Sequence, residues 1–124
     1  MRKKSTKLIL VIDDSQDGQI LLKTLGEAKG YQVQCASNGQ AALLMLRELS
    51  DLPDLILLDA QMPTMDGYQF RIEQKKDSRL KNIPVIIMTG DDDIKMNEKM
   101  IQPQGILTKP LHLNTLIDSL SHFL

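Results

Sequence analysis

The 124-residue chain is long enough for one compact domain with a buried core, needing neither disulfides nor metal staples. Its 42% hydrophobic and 25% charged residues exclude a disordered or fibrous chain, and 3% aromatic residues leave no stacking platform for single-stranded nucleic acid. The net charge of −1 hides an asymmetry: Arg2, Lys3, Lys4 and Lys7 precede the first apolar run, and from residue 8 onward 11 basic residues face 16 acidic ones. A phosphate-backbone footprint needs a basic face, which this acidic body lacks.

Residues 1–6 read as a solvated basic tail. The apolar run Leu8-Ile9-Leu10-Val11-Ile12 then ends at Asp13 and Asp14, too short for an export signal or a membrane span, and 7–12 reads as a strand. A helix is expected over 15–29, with Leu21, Leu22, Leu25 and Ala28 at helical spacing, Ser15 or Asp14 as cap and Gly30 closing the end. A second strand over 32–36 carries the lone Cys35, which reads as a small buried hydrophobe in a chain without disulfides, suited to a reducing cytoplasm. The next helix, 39–49, starts at Asn38-Gly39 and is expected to stop at Pro53.

Strands follow over 54–59 and 84–89, nearly continuous in apolar character as strands buried on both faces are, with a helix over 66–76 between them. A fourth predicted helix covers 92–101, shortened by Pro103; the last strand covers 105–108 and the last helix 111–123, with Leu113, Leu116, Ile117 and Leu120 as its stripe. His112 and His122 fall in that helix and read as surface histidines. Five β–α units in succession predict one α/β domain over 1–124: a five-stranded parallel sheet, doubly wound. In such a sheet ligands bind beyond the carboxyl ends of the strands, so the residues that end strands matter most.

Those residues are Asp13 and Asp14 after the first strand, Asp59 at the third, Thr89 at the fourth and Lys109 after the fifth. Any one of the aspartates reads as an ordinary strand-end residue. Together they crowd: two carboxylates 4 Å apart repel by roughly 4 kcal/mol at an effective dielectric near 20. A divalent ion relieves this, and Mg²⁺ suits carboxylate, water and phosphate oxygens. One carboxylate could then attack phosphorus as a nucleophile, with Lys109 and the Thr89 hydroxyl meeting the phosphoryl oxygens.

At these residues the chain resembles the receiver domains of two-component response regulators. The pieces that match are Val11-Ile12-Asp13-Asp14, Asp59-Ala60-Gln61-Met62-Pro63-Thr64-Met65-Asp66-Gly67, Ile83-Pro84-Val85-Ile86-Ile87-Met88-Thr89-Gly90 and Thr108-Lys109-Pro110. The resemblance implies a flavodoxin-like (βα)5 fold with strand order 2-1-3-4-5 and a chemotaxis-type regulator. It implies that Asp59 accepts the phosphoryl group, that Asp13, Asp14, Asp59 and the Gln61 carbonyl hold Mg²⁺, that Thr89 and Lys109 read the phosphoryl group, and that Lys109-Pro110 is cis. It further implies a sensor histidine kinase or histidine phosphotransfer protein as donor, and a downstream protein target or fused output domain. The face of the fourth predicted helix, fifth strand and last helix would carry the signal, in a monomer or weak phosphorylation-dependent dimer. Gln61 and Asp91 occupy the positions that tune phosphoryl lifetime.

The chain departs from the pattern at Ile106, where an aromatic residue is usual; as a β-branched side chain it is expected to act as passive packing. Gly90 replaces a common alanine, and only 20 positions separate Thr89 from Lys109. The expected function is a cytoplasmic signalling switch that modifies only itself, either stand-alone or part of a larger regulator or hybrid kinase. Two other functions on related folds fit less well. An aspartyl-phosphate hydrolase would need an acid two residues after its nucleophile and a cap domain, and a flavin or nucleotide module would need a phosphate loop where carboxylates stand.

Overall fold

The computed structural model describes residues 6–62, 65–90 and 103–124. Five strands, β1 (Leu8–Ile12), β2 (Gln32–Ala36), β3 (Leu55–Asp59), β4 (Val85–Thr89) and β5 (Gly105–Thr108), form one parallel sheet in the order β2-β1-β3-β4-β5. The described helices are α1 (Gln16–Ala28), α2 (Gly39–Glu48), α3 (Gly67–Lys76) and α4 (Leu113–Phe123). The helix expected over 92–101 lies outside the described residues.

Because side chains alternate across a strand, each strand feeds two cores. Ile9, Val11, Leu55, Leu57, Ile86, Met88 and Leu107 pack with Leu22 of α1 and Leu116 and Leu120 of α4. Leu10, Ile12, Ile56, Leu58, Val85 and Ile87 pack with Ala42, Leu43 and Leu46 of α2 and Phe70 of α3. β1, β3 and β4 are buried along their whole length, as central strands covered on both faces should be. Ile106 sits opposite Ile87 and packs, half-buried, against the α2/α3 side, as its packing role requires. Cys35 is only half-buried because β2 is an edge strand; that burial still pushes its thiol above the usual range.

Helix ends follow the sequence signals to within two residues. Ser15, not Asp14, caps α1 by accepting from the Gly18 N–H, and Gly30 ends the turn that follows at φ 90°. The Gly30 N–H reaches the Glu27 carbonyl, Tyr31 N–H reaches that of Gly26, and a Cβ at Gly30 would meet nothing within 4 Å. α2 stops at Glu48, well before Pro53, because Leu49 turns extended at ψ 129°. The Arg79 guanidinium, from the loop before β4, donates to the carbonyls of Leu46 and Leu49 and so satisfies acceptors that the helix end leaves open. The last helix begins at Leu113, so His112 is its N-cap residue and contributes no side-chain cap bond; both histidines are exposed.

α3 holds a buried polar pair that its sequence does not announce. Arg71 and Gln74 are both buried; Gln74 Nε2 donates to the carbonyls of Leu80 and Ile83 at 2.9 and 3.0 Å, and Arg71 Nη1 donates to Gln74 Oε1 at 2.8 Å. The pair ties α3 to the loop before β4. Among the described residues, no helix is long and apolar enough to cross a membrane.

Candidate functional site

Strand alternation continues past the carboxyl edge of the sheet. Asp13 follows the parity of Val11, Asp59 that of Leu57, and Lys109 that of Leu107, so all three side chains emerge on the α1/α4 side. There they line a cleft of about 540 Å³ with Asp14, Ser15, Gly18, Gln61 and an apolar wall that includes Leu21, Met88 and Pro110. Thr89 has the opposite parity. It is buried at the end of β4, outside the cleft lining, with its carbonyl accepting the Lys109 N–H at 2.7 Å.

Oxygens from Asp13, Asp14 and Asp59 all lie within 4.8 Å of one another. Asp13 and Asp59 are buried, whereas Asp14 is exposed. Lys109 Nζ stands 3.1 Å from Asp59 Oδ1, which also accepts the Gln61 N–H at 3.1 Å. The Ser15 N–H donates to Asp13 Oδ1 at 2.9 Å, and Gln19 Nε2 donates to the Asp13 carbonyl at 2.7 Å. Lys109-Pro110 is cis.

Burial pushes the Asp13 carboxyl above the usual carboxylate range; the Asp59 charge adds to this, while the Ser15 N–H and Lys109 oppose it. A carboxyl whose folded pKa is raised contributes stability below its unfolded pKa and loses it as pH rises through the folded value. Ionising Asp13 in the folded protein therefore crowds a second negative charge against Asp59. Replacing Asp13 with asparagine keeps an oxygen for the Ser15 N–H and removes a repulsion of about 3 kcal/mol at an effective dielectric near 20, partly offset by lost attraction to Lys109. Asp13→Asn is thus expected to raise the metal-free stability at pH 7 by about 1 kcal/mol, read by urea denaturation. A loss of stability would show that Lys109 already neutralises the cluster. The strain expected of all three aspartates falls mainly on Asp13 and Asp59, since solvent screens the exposed Asp14.

This donor set fits a hard divalent cation: three carboxylates within 4.8 Å of one another supply oxygen ligands, and their crowded charge is what a dication would relieve. The site residues that the sequence singles out all lie at one sheet edge, with Asp91 outside the described residues. Gln19 was not among them. A polar residue in the first turns of a helix after a strand-end aspartate is the signal that could have found it. The backbone contacts of Gly67 are likewise invisible in sequence: a Cβ there would lie 2.6 Å from the Asp59 carbonyl oxygen and 2.9 Å from Ala60 Cα.

Residues 9–121 match the family model of the response regulator receiver domain. The chain is 34% identical to protein PilH of Pseudomonas aeruginosa over 115 residues, covering 91% of this chain and 93% of PilH. It is 38% identical over 86 residues to the sensor histidine kinase CheAY of Helicobacter pylori, covering 69% of this chain but spanning only 11% of that longer protein. Among solved structures, the chemotaxis protein CheY4 of Vibrio cholerae superposes with a TM-score of 0.87 at 27% identity, covering 97% of this chain and all of CheY4.

Proposed function

Since the chain belongs to the response regulator receiver domains of two-component signalling, we propose that Asp59 is its phosphoacceptor. Asp13, Asp14, Asp59 and the Gln61 carbonyl are the residues that would hold Mg²⁺. The observation that carries this reading is the convergence of three carboxylates within 4.8 Å beside an ammonium 3.1 Å from Asp59.

Asp59 suits the nucleophile's part because it ends the central strand β3, is buried, and has one oxygen already oriented by Lys109 and the Gln61 N–H. Its other oxygen is the one left to attack phosphorus. Mg²⁺ held by these residues would neutralise charge on the phosphoryl oxygens. Lys109 neutralises a further oxygen, and positioning with charge compensation is most of what phosphoryl transfer asks of a protein. Thr89, the last residue of β4 and on the opposite parity, would turn its hydroxyl to the phosphoryl group once that group is attached. The open cleft beside α1 admits a phosphohistidine side chain, which supports a sensor histidine kinase or histidine phosphotransfer protein as donor. The result is a signalling switch that modifies itself and has no separate substrate.

Incubation with acetyl phosphate and Mg²⁺ followed by intact mass tests the assignment. The wild-type chain should gain one phosphoryl group and Asp59→Asn none. Undiminished labelling of Asp59→Asn would overturn it.

A further inference from the structure

Gly39 is the first residue of α2 and is buried. Its conformation is helical, so nothing in the backbone requires glycine there, and alanine would favour the helix by up to about 1 kcal/mol. The reason for glycine lies across the gap. A Cβ at Gly39 would stand 2.9 Å from Met65 Cγ, 3.0 Å from its Sδ and 3.0 Å from its carbonyl oxygen, and the Gly39 N–H donates to that same carbonyl at 3.2 Å.

Met65 belongs to the loop that leaves Asp59. That loop is tied at its start, where the Gln61 N–H meets Asp59 Oδ1 and the Met62 side chain enters the core. At its far end Gly67 packs on the Asp59–Ala60 backbone and donates to the Ala60 carbonyl at 3.1 Å. Gly39 adds a tether from a separate helix, which α2 holds in place through Ala42, Leu43 and Leu46 in the core.

We propose that Gly39 is a positioning residue for the metal site: its missing side chain lets α2 grip the Met65 carbonyl, and this anchor four residues after Gln61 helps hold the Gln61 carbonyl in place. The inference rests on the metal reading above. Mg²⁺ demands near-ideal octahedral geometry, so a loop pushed outward by one methyl group presents its carbonyl badly. Groups that orient metal ligands without touching the ion are commonly worth 10–100-fold in affinity.

The test is a titration of the whole chain with MgCl₂, followed by amide chemical shifts, in the wild type, Gly39→Ala and Leu46→Ala. Leu46 is a buried α2 core residue remote from the loop contact, so its truncation weakens the fold in the same helix. Gly39→Ala should bind Mg²⁺ about tenfold more weakly, while Leu46→Ala should keep the wild-type affinity. In the wild type, the Gly39 amide should shift on Mg²⁺ binding more than the Ala41 amide, which bonds the Asn38 side chain at 2.8 Å. Wild-type affinity in Gly39→Ala, or an equal loss in Leu46→Ala, overturns the proposal and leaves the metal site standing. Should Gly39→Ala fail to fold, the wild-type Gly39 amide decides, and one that stays still while the protein binds Mg²⁺ overturns the proposal. A wild type that binds no Mg²⁺ removes the metal reading and this inference together.

Discussion

Gly67→Ala is expected to destabilise the protein by about 2 kcal/mol, although alanine is the better helix former by about 1 kcal/mol. The new methyl would overlap the Asp59 carbonyl oxygen at 2.6 Å and Ala60 Cα at 2.9 Å, and both are backbone atoms that no rotamer change can move. Either α3 retreats from β3 or the backbone after Asp59 bends. The first loosens the Asp66–Gln69 capping box and the seat of Phe70; the second displaces Asp59, the proposed phosphoacceptor. A fall of roughly 8 °C in melting temperature follows for a domain of this size. Phosphorylation by acetyl phosphate should slow as well. A variant as stable as the wild type would mean that α3 can shift at little cost, and the close approach would then be incidental.

Lys109→Met should carry the second large effect, with opposite consequences for metal-free and metal-bound protein. Among the described residues, Lys109 Nζ pairs with the buried Asp59 carboxylate at 3.1 Å, while the Lys109 side chain is 40% exposed. Solvent screening reduces the loss from breaking this pair to about 1–2 kcal/mol in the metal-free state. The uncompensated aspartates should then gain more from Mg²⁺, so the metal-induced rise in melting temperature should exceed that of the wild type. Phosphorylation should nevertheless slow by about 100-fold, because one fixed charge opposite the phosphoryl oxygens is gone. Thermal denaturation with and without Mg²⁺, beside intact-mass time courses, separates the two. A smaller Mg²⁺ effect in Lys109→Met would contradict the proposed charge balance.

The strands were legible because buried parallel strands leave unbroken apolar runs, and each run here ends at the residue that sequence reasoning took as its terminus. The carboxylate cluster was legible for a related reason: the topology delivers every strand end to one edge, so residues 13, 59 and 109 meet without knowledge of side-chain contacts. Helix ends were harder. Pro53 is a visible breaker, but α2 ends earlier because Leu49 turns extended and a distant arginine takes its last carbonyls. Arg71 and Gln74 look like solvent-facing residues of a polar helix, and only the loop carbonyls they serve account for their burial. Thr89 joins the set in sequence order, yet it has the opposite strand parity and is not among the residues that line the cleft. What demands glycine at 39 and 67 is the close approach of Met65 and of the Asp59–Ala60 backbone from elsewhere in the chain, which the sequence does not display.

The turn at Gly30 offers a practical handle. It lies at the amino edge of the sheet, opposite the carboxylates, in open space and with its own short set of turn bonds. A small fluorophore tag or peptide epitope spliced in after Gly30 would project into solvent from the edge of the sheet opposite the carboxylate cluster. The chain could then be immobilised or imaged through that loop with its reactive edge left facing outward.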